Sequence, residues 1–163
     1  MGVKVGGSDS LIKKLKALGN KATDALKQGI MAGCLLVERD AKLNVKSNTG
    51  ALRESITHQV FVSDKEVKGV IGSNFKYAPF IEFGTGPIGA AAKPAIAEKL
   101  NITYTNEPWV YYSDSKEQFF TTSGQPGVPY LYPALENNKE EIKEMIARAV
   151  ERVFKEMGGK NGK

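Results

Sequence analysis

The fold is decided by Tyr77-Ala78-Pro79-Phe80-Ile81-Glu82-Phe83-Gly84-Thr85-Gly86, a stretch with three aromatic residues, one carboxylate and two glycines. Its apolar side chains favour burial, and its glycines allow a positive φ or the close approach of another backbone segment. Glu82 stands between Ile81 and Phe83, in surroundings where a carboxylate needs a partner. We therefore interpret this stretch as the point where a sheet, the helices and a partner surface meet.

The sequence ahead of this stretch predicts a long helix followed by a β-hairpin. Apolar residues recur at steps of three and four from Leu11 to Leu43, which indicates one amphipathic helix. Apolar and polar residues alternate in Ser55–Val62, and a second strand, Glu66–Gly72, follows a short turn. Residues 1–9 contain three glycines and few apolar groups, so we expect a flexible N-terminus there.

The sequence after it predicts an insertion, residues 87–124, and a final helix. Within the insertion we expect a short helix in Ala90–Leu100, a strand at Ile102–Tyr104, and an aromatic hairpin that pairs residues 109–112 with residues 118–122. Pro133 suits the first turn of the last helix, which we expect to stop at Gly158, leaving residues 158–163 flexible.

These elements predict an α+β fold in a single domain spanning residues 1–163. A small antiparallel β-sheet packs against a long N-terminal helix and a C-terminal helix. We expect its strands to come from Ser55–Val62, Glu66–Gly72 and segments of 100–123.

The sequence does not indicate an enzyme. With one histidine, His58, and one cysteine, Cys34, it cannot supply a tetrahedral zinc site, and Gly84-Thr85-Gly86 lacks the lysine of a phosphate-binding loop. We interpret His58 as a structural strand residue and Cys34 as a small buried hydrophobe, which fits synthesis in a reducing compartment. A hydrolase that uses His58 or a pair of acids remains a lesser alternative. We therefore expect no catalytic residue, no cofactor and no metal.

The charge distribution leaves a nucleic-acid-binding module as the main alternative function. The net charge is +5, and residues 1–50 account for all of it, with nine Lys and Arg against four Asp and Glu. A basic helix face can contact nucleic acid, although a solvated polar face explains the same pattern. No apolar run approaches the roughly 18 residues of a membrane span, so we expect no membrane contact. The lysines concerned are Lys13, Lys14, Lys16, Lys21 and Lys27.

Three blocks carry a resemblance to a known family. They are Thr49-Gly50-Ala51-Leu52-Arg53-Glu54-Ser55-Ile56, then Tyr77–Gly86, then Gln125-Pro126-Gly127-Val128-Pro129-Tyr130-Leu131-Tyr132-Pro133-Ala134-Leu135. In order and spacing, the chain resembles the small tail-component proteins of long-tailed bacteriophages and related prophages, which include tail-completion and head–tail joining (neck) proteins. The blocks and the helices outside them cover most of the chain.

The resemblance implies a virion structural protein of the phage neck or upper tail. Such a protein completes the tail or joins it to the head as a homo-oligomeric ring, often a hexamer. Its partners would be other phage proteins, namely the tail terminator, the tail tube and the head-completion protein, with nonspecific contact to phage DNA passing through the ring. It would be made in the cytoplasm of the bacterial host and reside in the virion.

A ring requires two different contact surfaces on each subunit, and several residues are candidates for them. Arg53 and Glu82 form a structural ion pair, act as separate surface charges, or bridge neighbouring subunits through bidentate hydrogen bonds. Gln125, Pro126 and Pro129 form either a rigid connector or part of a contact surface. The full set of candidate interface residues is Arg53, Glu82, Phe83, Gly84, Thr85, Gly86, Trp109, Tyr111, Gln125, Pro126 and Pro129.

Overall fold

A long helix, a three-stranded sheet and two consecutive C-terminal helices form the body of the protein. A computed structural model describes residues 2–5, 19–46, 50–63 and 66–158. The described helices are α1 (Asn20–Asn44), α2 (Ala51–Ser55), α3 (Ala78–Phe83), α4 (Gly86–Ala91), α5 (Ala95–Lys99), α6 (Leu131–Asn137) and α7 (Lys139–Gly158). The described strands are β1 (Gly2–Val5), β2 (Ile56–Val62), β3 (Val67–Ser73), β4 (Gly84–Thr85), β5 (Trp109–Ser113), β6 (Gln118–Thr122) and β7 (Gln125–Pro126).

The α+β fold is confirmed: the described part of the chain has a long N-terminal helix, small antiparallel sheets and a C-terminal helix. The main sheet has the strand order β1-β3-β2, and β2 pairs with β3 from Ile56↔Ser73 to Val62↔Val67. The predicted membership of segments from 100–123 is wrong. Among the described strands, β5 and β6 pair only with each other and form a separate two-stranded sheet.

The core lies between α1, the sheet and the C-terminal helices. Every third or fourth residue of α1 is buried, which places one face of the helix against β2, β3, α6 and α7. In β3 the burial alternates, as expected for a strand with one face on the core. The residues that are at most 2% exposed and contribute most volume are Leu52, Ile56, Ile71, Val37 and Cys34.

The predicted N-terminal helix is only partly correct. Within the predicted range Leu11–Leu43, Gly19 is not helical, because a right-handed helix cannot accommodate its φ of 73°, and the described helix α1 begins at Asn20. Its end at Asn44 agrees with the predicted end at Leu43. The predicted helical residues 11–18 lie outside the described residues.

The final helix is interrupted, contrary to the prediction of one continuous helix from Pro133. Helix α6 ends at Asn137 and α7 begins at Lys139. Between them, the buried side chain of Asn138 donates hydrogen bonds to Asp40 Oδ2 (2.7 Å) and to the Ala134 carbonyl (2.8 Å). An asparagine side chain that bonds to nearby backbone competes with the helix ladder, which accounts for the break. The helix stops at Gly158, as predicted, and residues 159–163 lie outside the described part.

Two further local predictions are wrong. Residues Gly2–Val5, predicted to be flexible, form β1, which pairs antiparallel with β3 from Gly2↔Gly72 to Val5↔Gly69. Main-chain pairing of this kind needs no side-chain pattern, so no local pattern in these four residues indicated a strand. The short helix predicted in Ala90–Leu100 is present as α5, which begins directly after Pro94. Residues 102–104 form no strand. No described helix is both long enough and apolar enough to cross a membrane.

A partly buried ion cluster joins α1 to the sheet and should make stability depend on pH. Glu38 on α1 is hydrogen-bonded to His58 Nδ1 on β2 and accepts a hydrogen bond from Lys42 Nζ. Burial raises the pKa of Glu38, but the hydrogen bonds from His58 and Lys42 and their charges outweigh it, so the pKa lies below its usual 4.5. A lowered pKa stabilises the folded state above pH 4.5, and this contribution is lost as the pH falls through the lowered value.

We therefore expect Glu38→Gln to lower the free energy of unfolding by about 1 kcal/mol at pH 7 and by close to nothing at pH 3. Urea unfolding of both proteins at the two pH values measures the difference. Glu136→Gln, at an exposed position on α6, is the matched control and should change stability little at either pH. An equal loss for Glu38→Gln at pH 3 and pH 7 would contradict the expected linkage.

Candidate assembly interface

Glu82 lies on the short helix α3, and its buried side chain caps the N-terminus of α6. Its side chain is 3% exposed. Oε2 accepts hydrogen bonds from the backbone N–H groups of Tyr130 (2.8 Å) and Leu131 (3.0 Å), and Oε1 accepts one from that of Tyr132 (3.0 Å). These N–H groups stand at the start of α6, where a helix has unpaired donors and favours negative charge. Glu82 thus fastens the middle of the chain to the C-terminal helices.

Of the three alternatives for Arg53 and Glu82, the structure excludes an ion pair within the chain. Arg53 instead donates hydrogen bonds from Nε to the Lys42 carbonyl (3.0 Å) and from Nη2 to the Val45 carbonyl (3.1 Å). These carbonyls belong to the C-terminal end of α1, where a cation satisfies unpaired acceptors. Because Glu82 is buried and both of its oxygens accept backbone hydrogen bonds, it does not offer a carboxylate to a neighbouring subunit either.

The structure brings two of the predicted groups together in one junction, which consists of residues 82–86 and 123–129. Strand β4 pairs with β7 through Gly84↔Pro126 and Thr85↔Gln125. The Val128 N–H donates to the Ile81 carbonyl over 2.7 Å at the edge of the junction. This close pairing joins the end of α3 to the loop ahead of α6, so the junction is a structural crossing point of the chain.

Burial divides the predicted interface residues into three sets. Phe83, Gly84 and Gly86 are buried together with Glu82, and they pack inside the subunit. Thr85 and Pro129 are partly buried. The exposed members are Arg53, Trp109, Tyr111, Gln125 and Pro126. Only the exposed and partly buried residues offer surface to a partner, and their role in an interface stays a prediction.

The aromatic hairpin, residues 109–122, is the largest exposed apolar feature of the insertion. One of its faces carries Trp109 and Tyr111, with the Tyr111 ring stacked on Phe120 at 5.9 Å between centroids. Trp109 also packs against Gly86, which attaches this face to the junction. Lys116 Nζ lies 5.3 Å from the centroid of the Phe120 ring and covers part of the same face. This face is therefore partly filled by the chain itself.

The opposite face of the hairpin is more exposed and was missed by the sequence reasoning. Val110, Tyr112 and Phe119 are 61%, 49% and 72% exposed, and we call these three residues the apolar face. Apart from pairing with each other, β5 and β6 make at most marginal contact with the other described helices and strands. Strand alternation carried the missing signal, since Val110 and Tyr112 must point away from Trp109 and Tyr111. Two exposed aromatics beside the junction, Tyr77 and Phe80, were also not singled out.

Among the described residues, no group of three or more His, Cys, Asp and Glu side chains could hold a metal ion. The interpretation of Cys34 is confirmed: it is 2% exposed, and burial, with the nearby Glu38 charge, raises the pKa of its thiol to about 11. Such a thiol is protonated at neutral pH and is a poor nucleophile. His58 is held between Glu38 and Met31, whose Sδ lies 3.1 Å from Nε2, as suits a structural strand residue.

Comparison with known proteins gives one family. No curated protein and no solved structure matches the chain. A family model described as "Bacteriophage HK97-gp10, putative tail-component" matches residues 9–84. The match includes the first block of the resemblance and most of the second, while Gln125–Leu135 lies beyond it. The predicted resemblance is thereby confirmed: over residues 9–84, the chain is similar to the HK97-gp10-like family of bacteriophage tail components.

Proposed function

We propose that this protein is a structural component of the phage neck or upper tail, which completes the tail or joins it to the head by assembling into a ring. The family match supports a tail component, and a description of this kind names a structural part rather than an enzyme. The proposal adds the location at the neck, the ring and its size, which we expect to be six subunits.

The observation that carries the proposal is the exposed apolar face of the aromatic hairpin. Monomeric soluble proteins rarely expose contiguous apolar patches of more than a few hundred Å², and larger ones mark contact sites. A two-stranded hairpin alone is also marginally stable in water and needs a packing layer. Val110, Tyr112 and Phe119 lack such a layer within the described part of the chain. Contact with another subunit or another tail protein would cover them.

The remaining parts of the proposal follow from assembly in the virion. We propose that residues 1–163 fold as one domain, with residues 87–124 inserted as the arm that carries the hairpin. The partners are further copies of this chain and the neighbouring tail tube, tail terminator and head-completion proteins. The protein would act by ordered docking of preformed surfaces, without a chemical step, and would reside in the virion.

The basic lysines give little support to nucleic-acid binding as the main function. Lys13, Lys14 and Lys16 lie outside the described residues. Lys21 and Lys27 are exposed on α1, but Asp24 is exposed between them and reduces the local positive charge. Nonspecific contact with DNA inside a ring remains compatible with this arrangement, because phosphate attraction needs only scattered positive charge.

The test is the mass of the purified protein in solution, first alone and then mixed with tail tubes, followed by electron microscopy of the mixture. We expect a ring, or density that caps one end of the tube. A Tyr112→Ser/Phe119→Ser double variant should lose this activity, whereas Phe154→Ser, at a 43% exposed residue of α7, should retain it. A monomer that ignores tubes and shifts DNA at low salt would instead support the nucleic-acid-binding module.

A further inference from the structure

One edge of the main sheet is open. In the order β1-β3-β2, strand β2 has a partner on one side only among the described strands. The other outer strand, β1, has four residues and includes Lys4, and both features discourage further pairing. Strand β2 (Ile56–Val62) has seven residues, contains no proline or glycine, and has no ionisable residue apart from His58. Native proteins usually protect an edge of this kind, because it is a template for another strand.

The hydrogen bonds at the two ends of β2 indicate which of its backbone groups face outward. The Ser63 N–H donates to the Glu66 carbonyl over 2.9 Å, so these residues form a hydrogen-bonded pair at the end of the hairpin. Such pairs alternate along an antiparallel ladder, so the even-numbered residues of β2 direct their N–H and C=O groups away from β3. The Ile56 N–H agrees with this alternation, because it donates to the Arg53 carbonyl, outside the sheet. The remaining outward groups, which we call the β2 edge, belong to His58, Val60 and Val62.

Exposed apolar side chains of α1 lie beside the β2 edge. Met31 and Leu35 are 36% and 53% exposed and stand one turn apart on the same side of the helix, and we call them the α1 flank. The Met31 Sδ lies 3.1 Å from His58 Nε2, which places this side of α1 next to β2. A strand added to β2 would therefore extend the sheet alongside the α1 flank.

We propose that β2 of a second copy of this chain pairs antiparallel with the β2 edge, so that two subunits share one sheet with three strands from each. A row of alternating N–H and C=O groups is satisfied by an extended strand, which fixes the chemistry of the partner. The strand is complementary to itself. When Val60 lies opposite Val60 of the second copy, His58 lies opposite Val62, and no two like charges face each other.

The α1 flank favours a second copy over a foreign strand. The two-fold axis of this pairing is perpendicular to the sheet, so the helices of both copies lie on the same face. Helix α1 packs on both β2 and β3. With strands about 4.8 Å apart, two helices centred in this way stand roughly 10 Å from each other, which is the usual distance between packed helices. The two α1 flanks then shield each other from water, whereas a foreign strand would bring no helix against Leu35.

This dimer goes beyond the function proposed above. A two-fold contact joins identical surfaces and does not repeat around a ring, so the dimer belongs to the free protein before assembly. It uses β2 and α1, whereas the proposed assembly contact uses the apolar face of the hairpin. The two contacts can therefore be tested separately.

Residue-specific amide hydrogen exchange, measured by NMR at a low and a high protein concentration, tests the pairing. The amides that bond to β3 should be protected at both concentrations; they are those of Thr57, Gln59 and Phe61. The amides of the β2 edge should exchange at least tenfold more slowly at the high concentration, where sedimentation should show a dimer. Fast exchange at the β2 edge in the dimer would overturn the proposal, and so would equally slow exchange in the monomer.

Variants on the two elements provide an independent test. Val62→Pro removes an outward N–H and should weaken dimerisation at least tenfold, whereas Val62→Thr keeps the N–H and should dimerise normally. Val62 is 48% exposed, and proline is tolerated where the N–H faces away from the sheet, so the variant should fold, which circular dichroism checks. Leu35→Lys brings two like charges together and should weaken the dimer by a similar factor. Unchanged dimerisation in either Val62→Pro or Leu35→Lys would overturn the proposal.

The Tyr112→Ser/Phe119→Ser double variant separates this inference from the proposed function. It should lose ring formation and tube capping but dimerise as the natural protein does. Loss of the dimer in this variant would assign the two-fold contact to the hairpin and overturn the pairing of β2. A dimer without any ring or tube binding by the natural protein would leave the β2 contact in place and overturn the neck function.

Discussion

Glu82→Ala should lower the free energy of unfolding by about 4 kcal/mol. The substitution leaves three backbone N–H groups at the start of α6 without their acceptors, and two of these groups belong to buried residues, Tyr130 and Leu131. A buried donor without a partner costs about 1–3 kcal/mol, and the favourable interaction between the carboxylate and the helix N-terminus is lost as well. A typical domain has only about 5–15 kcal/mol of stability, so soluble yield should fall too.

Urea unfolding followed by circular dichroism measures this effect, and two further variants make it interpretable. Glu82→Gln keeps one acceptor oxygen but directs an amide donor at a second N–H group, so about half of the loss is expected. Glu98→Ala removes an exposed carboxylate that pairs with Lys93 at the surface, and it should change stability little. A Glu82→Ala protein as stable as Glu98→Ala would show that water replaces the carboxylate at the N-terminus of α6.

Gly124→Ala should destabilise the protein by more than 4 kcal/mol, because the junction has no room for a methyl group. Gly124 has a φ of 90°, and a Cβ there would lie 1.9 Å from the Thr85 carbonyl oxygen and 3.0 Å from the Gly86 Cα. These neighbours are backbone atoms, so relief requires separation of β4 from β7 rather than a change of rotamer. Costs of this size are exceptional for one substitution and indicate a specific steric conflict.

Gly19→Ala is the matched control for this prediction. Gly19 also has a positive φ, 73°, but a Cβ there would meet no heavy atom of the described residues within 4 Å. This variant therefore reports the conformational cost alone, which is on the order of 1–3 kcal/mol. Thermal unfolding of the two variants separates the conformational cost, which both share, from the steric clash, which occurs only in Gly124→Ala. Equal losses in the two proteins would mean that the junction opens easily and does not hold the insertion in place.

The sequence predicted the elements whose side-chain pattern is decided locally. The strands β2 and β3 and the pairing of the aromatic hairpin agree with the structure to within a residue or two, because alternation and short turns are local signals. The burial of Cys34 followed from helix periodicity in the same way. The start of α1 after Gly19 and the break at Asn138 were not predicted, since they depend on one backbone angle and on a side-chain contact with Asp40.

The candidate site was less predictable because it depends on contacts between distant segments. The sequence indicated that Glu82 needs a partner, and chemical logic favoured a cation such as Arg53. The structure satisfies the carboxylate with three N–H groups that lie 48 to 50 positions further along the chain, which no local pattern reveals. Strand alternation could have separated the two faces of the hairpin. Which of them stays exposed depends on the packing of Trp109 against Gly86, which the sequence alone does not show.

The order β1-β3-β2 has a consequence for the newly made chain on the ribosome. Strand β3 pairs with both β1 and β2, yet β1 emerges first and its partner residues, Gly69–Gly72, come more than sixty residues later. At about 5–20 residues per second, on the order of several seconds separate the synthesis of the two strands. The local β2–β3 pairing can form as soon as both strands have left the ribosome, so the pairing of β1 with β3 is the late, long-range step. Until that step, β3 presents an open edge that a neighbouring nascent chain can pair with. Misassembly should therefore be most frequent when several ribosomes translate the same message close together.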